Sequence, residues 1–295
     1  RKSVRIIVPI APGGGTDIIA RLLAKKVGEA WGQSAVVDNQ GGGGTTIGTN
    51  NVVKSAPDGY TLLLSSVSVA YISALYRKLP FDPEKDLAPV ALVATQPSLL
   101  VVHPSMPVKS VAELIALAKS RPGDILYSSG GSGSASHLAA ELFRSMARIN
   151  LVHVPYKGGG PAGTAAMAGE THMLITNMAS LLPHVRSGRL RGLAVTGAKR
   201  AKAAPELPTV AESGLPGYEF DGWYGLLAPV KTPAAIVRKI NEDFNRALTA
   251  PDVQERFAGA GIEALGGTPE KFAAYLAAEI RKWTRVVREA GIQTD

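Results

Sequence analysis

The stretch that decides the fold is Val4-Arg5-Ile6-Ile7-Val8-Pro9-Ile10-Ala11-Pro12-Gly13-Gly14-Gly15-Thr16-Asp17. The apolar residues that follow it are Ile19, Leu22, Leu23 and Val27. The first part is an apolar run of strand length, and the later apolar residues recur every three or four positions, which places them on one face of a helix. The sequence therefore predicts a strand, a glycine turn and a helix, with Thr16 as the N-cap and Asp17 in the first helical turn.

This glycine turn is a candidate binding loop for an anion. Glycine permits positive φ angles and a close approach of the backbone to a ligand. A helix N-terminus presents free N–H groups and about half a positive charge, so it can hold a carboxylate or a phosphate without an arginine. The alternative is a tight connection between a strand and a helix with no ligand, because glycine turns are common in α/β proteins.

Composition favours a two-domain globular protein. The chain has 295 residues with 45% hydrophobic content, which is enough for two domains of ordinary size. Its 32 Lys and Arg against 24 Asp and Glu give a net charge of +8, but these basic residues are scattered, and no basic stripe interleaved with aromatic residues suggests nucleic-acid binding. The positive charge favours anionic ligands by long-range attraction.

Two further features of the composition restrict the chemistry and the location. Cysteine is absent, which excludes disulfides, thiolate metal sites and cysteine nucleophiles. No run of residues approaches 18 apolar positions, and we find no signal segment ahead of the first strand. If the protein is exported, we expect the numbered chain to be its mature form.

Strands and helices alternate along the chain, and five strand ends are rich in Gly, Ser, Thr or Asn. These ends are 11–17, 39–46, 65–68, 129–136 and 156–160. Such alternation predicts an α/β fold with parallel sheets covered by helices on both faces, in which ligands gather at the carboxyl ends of the strands. Apart from Lys157 and Asp17, the five ends carry no charged side chain. Uncharged donors suit the binding of a carboxylate better than catalysis, which needs a titratable group.

The motifs of nucleotide-binding enzymes are incomplete. Gly158, Gly160 and Gly163 match the spacing of a dinucleotide fingerprint, but Pro161 interrupts it and no acidic residue follows at the required distance. In the first loop, Ile18 stands where the third glycine of that fingerprint belongs. The chain contains no Gly-Lys pair, so a P-loop is excluded.

Hydrolase and metal motifs are also weak. A nucleophile elbow at Ser132 would need glycine at position 134, where this chain has serine. His137 and Glu141 have the helical spacing of a metal-binding pair, but one such pair without H-E-x-x-H is weak evidence. We interpret His137 as a residue at a helix start with a local hydrogen bond, and Glu141 as an acid at the surface or behind the binding residues. We predict no metal, no cofactor and no catalytic residue.

Long segments of the chain resemble one family, the substrate-binding proteins of tripartite tricarboxylate transporters, also called Bug receptors. The similarity extends over nearly the whole chain. The segments that carry it are RIIVPIAPGGGTDIIARLLA (5–24), APDGYTLLLSS (56–66), LYRKLPFDPEKDLAPVALVA (75–94), LVVHPSMPVKSVAELIALAK (100–119), YSSGGSGSASHLAAELF (127–143), VHVPYKGGGPA (152–162), LAVTGAKRAKAAPELPTVAESGLPGYE (193–219) and GTPEKFAAYLAAEIRKWTRVVREAGI (267–292).

The resemblance implies a two-domain periplasmic-binding-protein fold of the Venus flytrap, type II-like kind, with a mostly parallel sheet and flanking helices in each domain. From the chain order we expect residues 1–102 and 221–295 to form domain 1 and residues 103–220 to form domain 2. The hinge is expected near 99–104 and 219–228. Closure would bring strand ends of both domains onto one ligand.

The resemblance also implies the ligand-binding residues, with a carboxylate held by main-chain amides and ordered waters near the first glycine loop. The expected set is Pro12, Gly13, Gly14, Gly15, Thr16, Asp17, Thr45, Thr46, Ser66, Ser68, Ser132, Gly133, Ser134, Tyr156 and Asn177. Within this set we expect Gly14, Gly15 and Thr16 to hold one carboxylate, with Ser132 and Ser134 clamping from the other side. Asp17 is expected to cap the helix from behind.

One departure from the family pattern affects ligand preference. The family usually has N-R/K-P-G-A-G-G after the second strand, whereas this chain has Asn39-Gln40-Gly41-Gly42-Gly43-Gly44. Losing the cation and the proline is expected to make this loop looser and less positive. C4-dicarboxylates, citrate-like acids, aromatic carboxylates and amino acids therefore all remain candidate ligands.

By resemblance the protein is a monomeric periplasmic receptor that delivers a small organic carboxylate to a membrane permease without turnover. The open alternatives are a nucleotide-dependent oxidoreductase, a serine hydrolase, or a receptor reused for signalling or cell-surface interaction.

Overall fold

The computed structural model describes residues 2–76, 78–289 and 291–292. The strands are β1 (Val4–Val8), β2 (Ala35–Asn39), β3 (Thr61–Ser66), β4 (Leu87–Val102), β5 (Leu126–Ser129), β6 (Val152–Pro155), β7 (Met173–Asn177), β8 (Arg191–Val195), β9 (Asp221–Pro229) and β10 (Glu263–Ala264). The helices are α1 (Gly15–Trp31), α2 (Thr46–Val53), α3 (Ser68–Leu75), α4 (Pro83–Asp86), α5 (Val111–Ser120), α6 (Ala135–Ala147), α7 (Gly159–Ala168), α8 (Met178–Arg186), α9 (Ala234–Leu248), α10 (Pro251–Gly259) and α11 (Pro269–Glu289), with a 3₁₀ turn at Gly43–Thr45.

The strands form one continuous mixed sheet in the order β2-β1-β3-β9-β4-β7-β5-β6, with β8 and β10 also paired to β4. Parallel pairs lie toward both ends of the sheet, where β1 pairs with β2 and β3, and β5 pairs with β6 and β7. The two long strands in the middle, β4 and β9, run antiparallel to each other and to their outer neighbours. Helices flank the sheet, as the α/β prediction requires.

Strand β4 changes partners part-way along its length, which divides the sheet into two halves. Its residues 87–97 pair with β9, and its residues 98–102 pair with β7 and β8. We call the half with β1, β2, β3, β9 and β10 the first lobe, and the half with β5, β6, β7 and β8 the second lobe. The strand has 16 residues, long enough to take part in both halves. The exact domain boundaries, near 99–104 and 219–228, stay a prediction.

Thr196 links by hydrogen bonds the two places where the chain passes between the lobes, which are β4 and the segment before β9. Its side chain is fully buried, and its hydroxyl accepts a hydrogen bond from the Ser98 N–H at 2.8 Å and donates to the Phe220 carbonyl at 2.6 Å. Its own backbone N–H donates to the Ser98 carbonyl and its carbonyl accepts from the Phe220 N–H, each at 2.9 Å. One residue thus ties β4, the end of β8 and the entry to β9 together where the chain passes between the lobes.

The apolar run of β1 is explained by burial on both faces. Ile6 and Val8 pack into a cluster that includes α1 and α9, while Ile7 packs into the cluster on the opposite face. A strand covered on both sides reads as a continuous apolar stretch. The periodic residues of α1 are buried as predicted: Ile19, Leu23 and Val27 are fully enclosed.

The predicted N-cap of α1 is wrong by two positions. The helix begins at Gly15 with Gly14 as its N-cap, so Thr16 lies inside the first turn. A methyl group at Gly14 would meet the Ile10 side chain at 2.7 Å, so a larger residue at this position would displace the Ile10 side chain. None of the helices in the described part of the chain is long and apolar enough to cross a membrane.

Replacing Thr196 by Val keeps the shape of the side chain but leaves the Ser98 N–H without this acceptor inside the protein. We expect the free energy of unfolding to fall by about 1–3 kcal/mol. Thr249→Val is the matched control, because the Thr249 hydroxyl donates to the Arg246 carbonyl in an exposed setting. Urea denaturation of both variants measures the difference, and equal stabilities would contradict the role of Thr196.

Candidate functional site

A cavity of about 60 Å³ lies between the two lobes, at the carboxyl ends of several strands. By this measure each water molecule needs about 10–15 Å³, so the space holds a few waters or a small ligand. Its lining is Ile10, Gly14, Thr16, Thr45, Ser66, Val67, Ser98, Gly130, Ser134, Ala135, Ser136, Gly159, Thr176, Asn177, Phe220, Gly222 and Tyr224. Among the described residues, no Lys, Arg, His, Asp or Glu lines this cavity.

Six helices begin at the wall of this cavity. The lining includes the N-cap residues of α1, α2, α3, α6 and α8 and the first residue of α7, namely Gly14, Thr45, Val67, Ser134, Asn177 and Gly159. Each helix N-terminus carries about half a positive charge from its aligned peptide dipoles. These N-termini make the cavity electropositive without a charged side chain from the part of the chain that the structure describes, and an anion suits it.

Free backbone donors lie on both walls. The N–H groups of Gly15 and Thr16 at the start of α1 have no acceptor within the part of the chain that the structure describes. The same holds, over the same residues, for the N–H groups of Ala135 and Ser136 at the start of α6. Helix α1 belongs to the first lobe and α6 to the second, so an anionic ligand between them finds donors on each side.

Thr45 combines a strained backbone conformation with a buried hydroxyl that has no hydrogen-bond partner among the described residues. It is 4% exposed, its φ angle is +87°, and its hydroxyl has no hydrogen-bond partner among the described residues. A β-branched residue rarely adopts positive φ, and an unpaired buried hydroxyl costs free energy. Strain and an unsatisfied donor coincide in the lining, which points to a ligand group at this hydroxyl.

Asp17 stands behind the first glycine loop and shapes it. Its carboxylate accepts hydrogen bonds from the Gly13 N–H at 3.0 Å and from Asn39, and it forms an ion pair with Arg21 at 3.0 Å. Burial by itself raises the pKa of this carboxyl, but hydrogen bonds from Arg21, Gly13 and Asn39 outweigh it and hold the pKa of Asp17 below its ordinary value. The residue is ionised and compensated, so it fixes the loop and takes no proton from a ligand.

The lobes touch through glycines, and these contacts leave no room for larger side chains. A methyl group at Gly15 would meet the Asn177 amide oxygen of the second lobe at 2.7 Å and the Tyr224 hydroxyl at 2.6 Å. Gly44 likewise lies against the Ser132 carbonyl. Beside it, the Tyr76 hydroxyl donates to the same carbonyl at 3.2 Å, directly across the cleft.

The structure separates the residues of the expected ligand-binding set into three groups. Those in the cavity wall are Gly14, Thr16, Thr45, Ser66, Ser134 and Asn177. Those directly behind it are Gly13, Gly15, Asp17, Ser68 and Gly133. Those outside the lining are Pro12, Thr46, Ser132 and Tyr156. Ser132 turns its carbonyl to Tyr76, and the Tyr156 hydroxyl donates to Glu170 at 3.1 Å near the surface. The ligand roles of all these residues stay predictions.

Sequence reasoning missed several lining residues. Ser136 and Thr176 adjoin predicted residues, so the polar strand ends themselves gave a signal for them. Ser98 and Tyr224 lie on the antiparallel strands β4 and β9, whose sequences read as ordinary buried strands. Nothing in the local sequence marks them.

The His137 and Glu141 pair is no metal site. Glu141 is 8% exposed, so of its two predicted placements the one at the surface is wrong, while the one behind the binding residues stays a prediction. Its carboxylate is already occupied, because it pairs with Arg144 at 2.7 Å. His137 accepts the Gly133 N–H, which agrees with the predicted local hydrogen bond. No cluster of three metal-binding side chains occurs within the described ranges.

Comparisons with known proteins find similar sequences and similar structures. Residues 19–292 match the profile of the family described as "Tripartite tricarboxylate transporter family receptor". The chain is 40% identical to Protein BugT of Bordetella pertussis over 294 residues, covering 98% of this chain and 90% of the relative. It is 38% identical to a UPF0065 protein from the tcbD-tcbE intergenic region of Pseudomonas sp. strain P51, covering 96% of this chain and 84% of that protein.

Several solved structures are also similar to this chain in sequence and in fold. R. palustris Rpa4515 with adipate superposes with a TM-score of 0.95 at 38% identity, covering 99% of this chain and 98% of that one. The periplasmic binding protein BugD gives a TM-score of 0.96 at 32% identity, covering 99% of both chains. MatC from Rhodopseudomonas palustris with bound malate gives 0.93 at 32% identity, covering 97% of this chain and 98% of that one.

Gly15→Ala is expected to hold the lobes apart. Ordinary carbon contacts need about 3.5 Å. The added methyl group should therefore increase the distance between the lobes by roughly 1 Å where Gly15 faces Asn177, and by more at the solvent side of the cleft. The chain lacks cysteine, so spin labels on the exposed positions Lys54→Cys and Ala168→Cys report the interlobe distance specifically.

Gly163→Ala is the matched control for this experiment. A methyl group there meets no heavy atom within 4 Å, and helix α7 should gain about 0.5–1 kcal/mol from it. The label distance should lengthen in Gly15→Ala and stay unchanged in Gly163→Ala. Identical distances in both variants would show that Gly15 is not needed for the lobes to meet.

Proposed function

The chain belongs to the tripartite tricarboxylate transporter receptor family, and from this premise we propose that the cavity between its lobes binds a small dicarboxylate. Members of this family and the structural neighbours are periplasmic solute-binding proteins and not enzymes. The protein is accordingly a periplasmic receptor for carboxylates, and it binds its ligand without converting it.

The observation that carries the proposal is the convergence of six helix N-termini on a cavity that no charged side chain of the described residues lines. A carboxylate there receives hydrogen bonds from oriented N–H and O–H groups, which are stronger toward a charged acceptor than toward a neutral one. We assign one carboxylate to the start of α1, with the N–H groups of Gly15 and Thr16 and the Thr16 hydroxyl. This keeps the expected role of the first glycine loop and moves it toward the helix.

A second carboxylate would lie at the start of α6 on the opposite wall. The free N–H groups of Ala135 and Ser136 and the hydroxyls of Ser134 and Ser136 supply donors there, and they replace the expected contact from Ser132. Apolar groups of Ile10, Val67 and Phe220 also line the cavity, which suits a hydrocarbon segment between two carboxylates. The neighbours with adipate and with malate hold dicarboxylates, which supports this class.

Delivery to a membrane permease follows from the family role, and we propose it for this chain together with a monomeric state. The strand crossings at β4 and β9 would serve as the hinge, and closure would bring α1 and α6 onto one ligand. The contact of Tyr76 with Ser132 would form only in the closed state.

A thermal-shift experiment tests the ligand class. Adipate and malate should each raise the melting temperature in a concentration-dependent way, because a ligand that binds only the folded state stabilises it. Adipamide has the same length without charge and serves as the control. A rise with adipamide equal to that with adipate, or no rise with either diacid, would refute a site built for two carboxylates.

Thr45→Val should separate ligand binding from folding. Valine has the same shape and the same conformational strain, but it removes a buried hydroxyl that has no partner among the described residues. Stability without ligand should stay equal or increase, while the dissociation constant for the diacid that binds should rise about 10- to 100-fold, as expected for a lost hydrogen bond to a charged group. Calorimetry measures the affinity, and Thr284→Val on α11 is the control. An unchanged affinity would exclude Thr45 from the site.

A further inference from the structure

Two histidines, the buried His137 and the half-buried His153, hold the loop that forms the second-lobe wall of the cavity. We call residues 129–136 the serine loop. Its Gly133 N–H donates to Nδ1 of His137 at 3.1 Å. Its Gly131 N–H donates to the Ser129 hydroxyl at 3.1 Å, and that hydroxyl lies 2.6 Å from Nε2 of His153. The conformation of the loop therefore depends on both imidazoles.

The imidazoles are stacked on each other beneath the loop. Their ring centres are 4.3 Å apart with planes inclined by 17°, and the Tyr127 ring stacks on the other face of His153 at 4.8 Å. His137 is 5% exposed, and neither histidine lines the cavity. Two positive charges at this separation with little water would repel strongly, so the stack favours neutral rings.

The hydrogen bonds impose the same protonation state. Because the Gly133 N–H is a donor, Nδ1 of His137 must present a lone pair, which a protonated imidazole lacks. The Ser129 oxygen accepts from Gly131, and its own proton is free to point at Nε2 of His153 when that nitrogen is unprotonated. A proton on His153 would reverse this bond and redirect the Ser129 hydroxyl.

The charges that face the pair do not favour its protonation. The nearby carboxylate, Glu141, accepts from the Tyr127 hydroxyl at 2.7 Å and is paired with Arg144. Burial lowers the pKa of His137, although Glu141 opposes the shift. Burial, with a contribution from the neighbouring His137, lowers the pKa of His153 to about 4.

We propose that His137 and His153 are positioning residues that, in their neutral form, keep Ser134 and Ser136 directed at the ligand. Protonation of either ring takes away an acceptor of the serine loop, loosens it and lowers carboxylate affinity. The effect on affinity rests on the proposed function of the cavity. The effect on the loop does not.

The direction of the pH dependence follows from linkage. An unfolded histidine titrates near 6.5, whereas folded His153 titrates at about 4. Between these pH values the unfolded state binds more protons, so stability falls as pH falls through this window. Order in the serine loop is lost over the lower part of the same window.

Glycine-selective ¹⁵N NMR of the ligand-free protein tests the loop directly. Between pH 6.5 and 4, the Gly131 and Gly133 amide resonances should shift and their hydrogen exchange, corrected for intrinsic rates, should accelerate about tenfold. His137→Asn places an amide oxygen near Nδ1 that does not titrate, and His153→Gln does the same near Nε2. These two variants should keep the loop order at pH 6.5 and flatten the pH profile.

His184→Asn is the control, because His184 is a half-exposed residue at the end of α8, where it contacts Arg189. It should leave the profile of the wild type unchanged. Adipate titrations by calorimetry form the second arm and should lose affinity with the same pH profile. Failure of adipate to bind would count against the function while the NMR arm still decides the loop. Glycine profiles unaffected by His137→Asn and His153→Gln would overturn the proposal.

Discussion

The convergence of six helix N-termini on one small space is the constraint on which the rest of the structure depends. Such an arrangement needs strands whose carboxyl ends meet, and the two sets of parallel strands supply them from opposite sides. The mixed sheet allows this because β4 and β9 run antiparallel through the middle, and β4 continues from the first lobe into the second. The helices then point their positive ends at a common point, where none of the residues that the structure describes places a charged side chain.

Glycine is what lets the two walls come close enough. At Gly15 and Gly44 a single methyl group would collide with the opposite lobe, and Gly160 would collide with the Pro12 carbonyl. Glycine-rich loops therefore serve two purposes here. They expose N–H groups to the ligand, and they allow the lobes to meet backbone against backbone, which excludes water and strengthens the hydrogen bonds to the ligand.

The sequence predicted the local units well because each carries its own signal. The apolar run of β1, the periodicity of α1 and the polar strand ends follow from burial and spacing. The lining residues Thr16, Thr45, Ser66, Ser134 and Asn177 were expected from the family resemblance, and their ligand roles stay predictions. Contacts between segments that are distant in the chain could not be predicted from the local sequence. Ser98 and Tyr224 line the cavity because β4 and β9 run through the middle of the sheet, and the Tyr76 contact exists only across the cleft. The N-cap of α1 was misplaced because a capping side chain was expected, whereas the helix begins after Gly14 without a side-chain cap.

Uncharged donors also explain how a receptor can both hold and release an anion. A buried arginine would be left unpaired in a closed empty cavity, at a cost of about 3–5 kcal/mol. Peptide N–H groups and hydroxyls are satisfied by water when the lobes open, so the empty state is tolerable. Thr45 is the exception, since its hydroxyl lacks a partner within the described residues. Its small cost falls on the closed state without ligand, which favours opening until the ligand arrives.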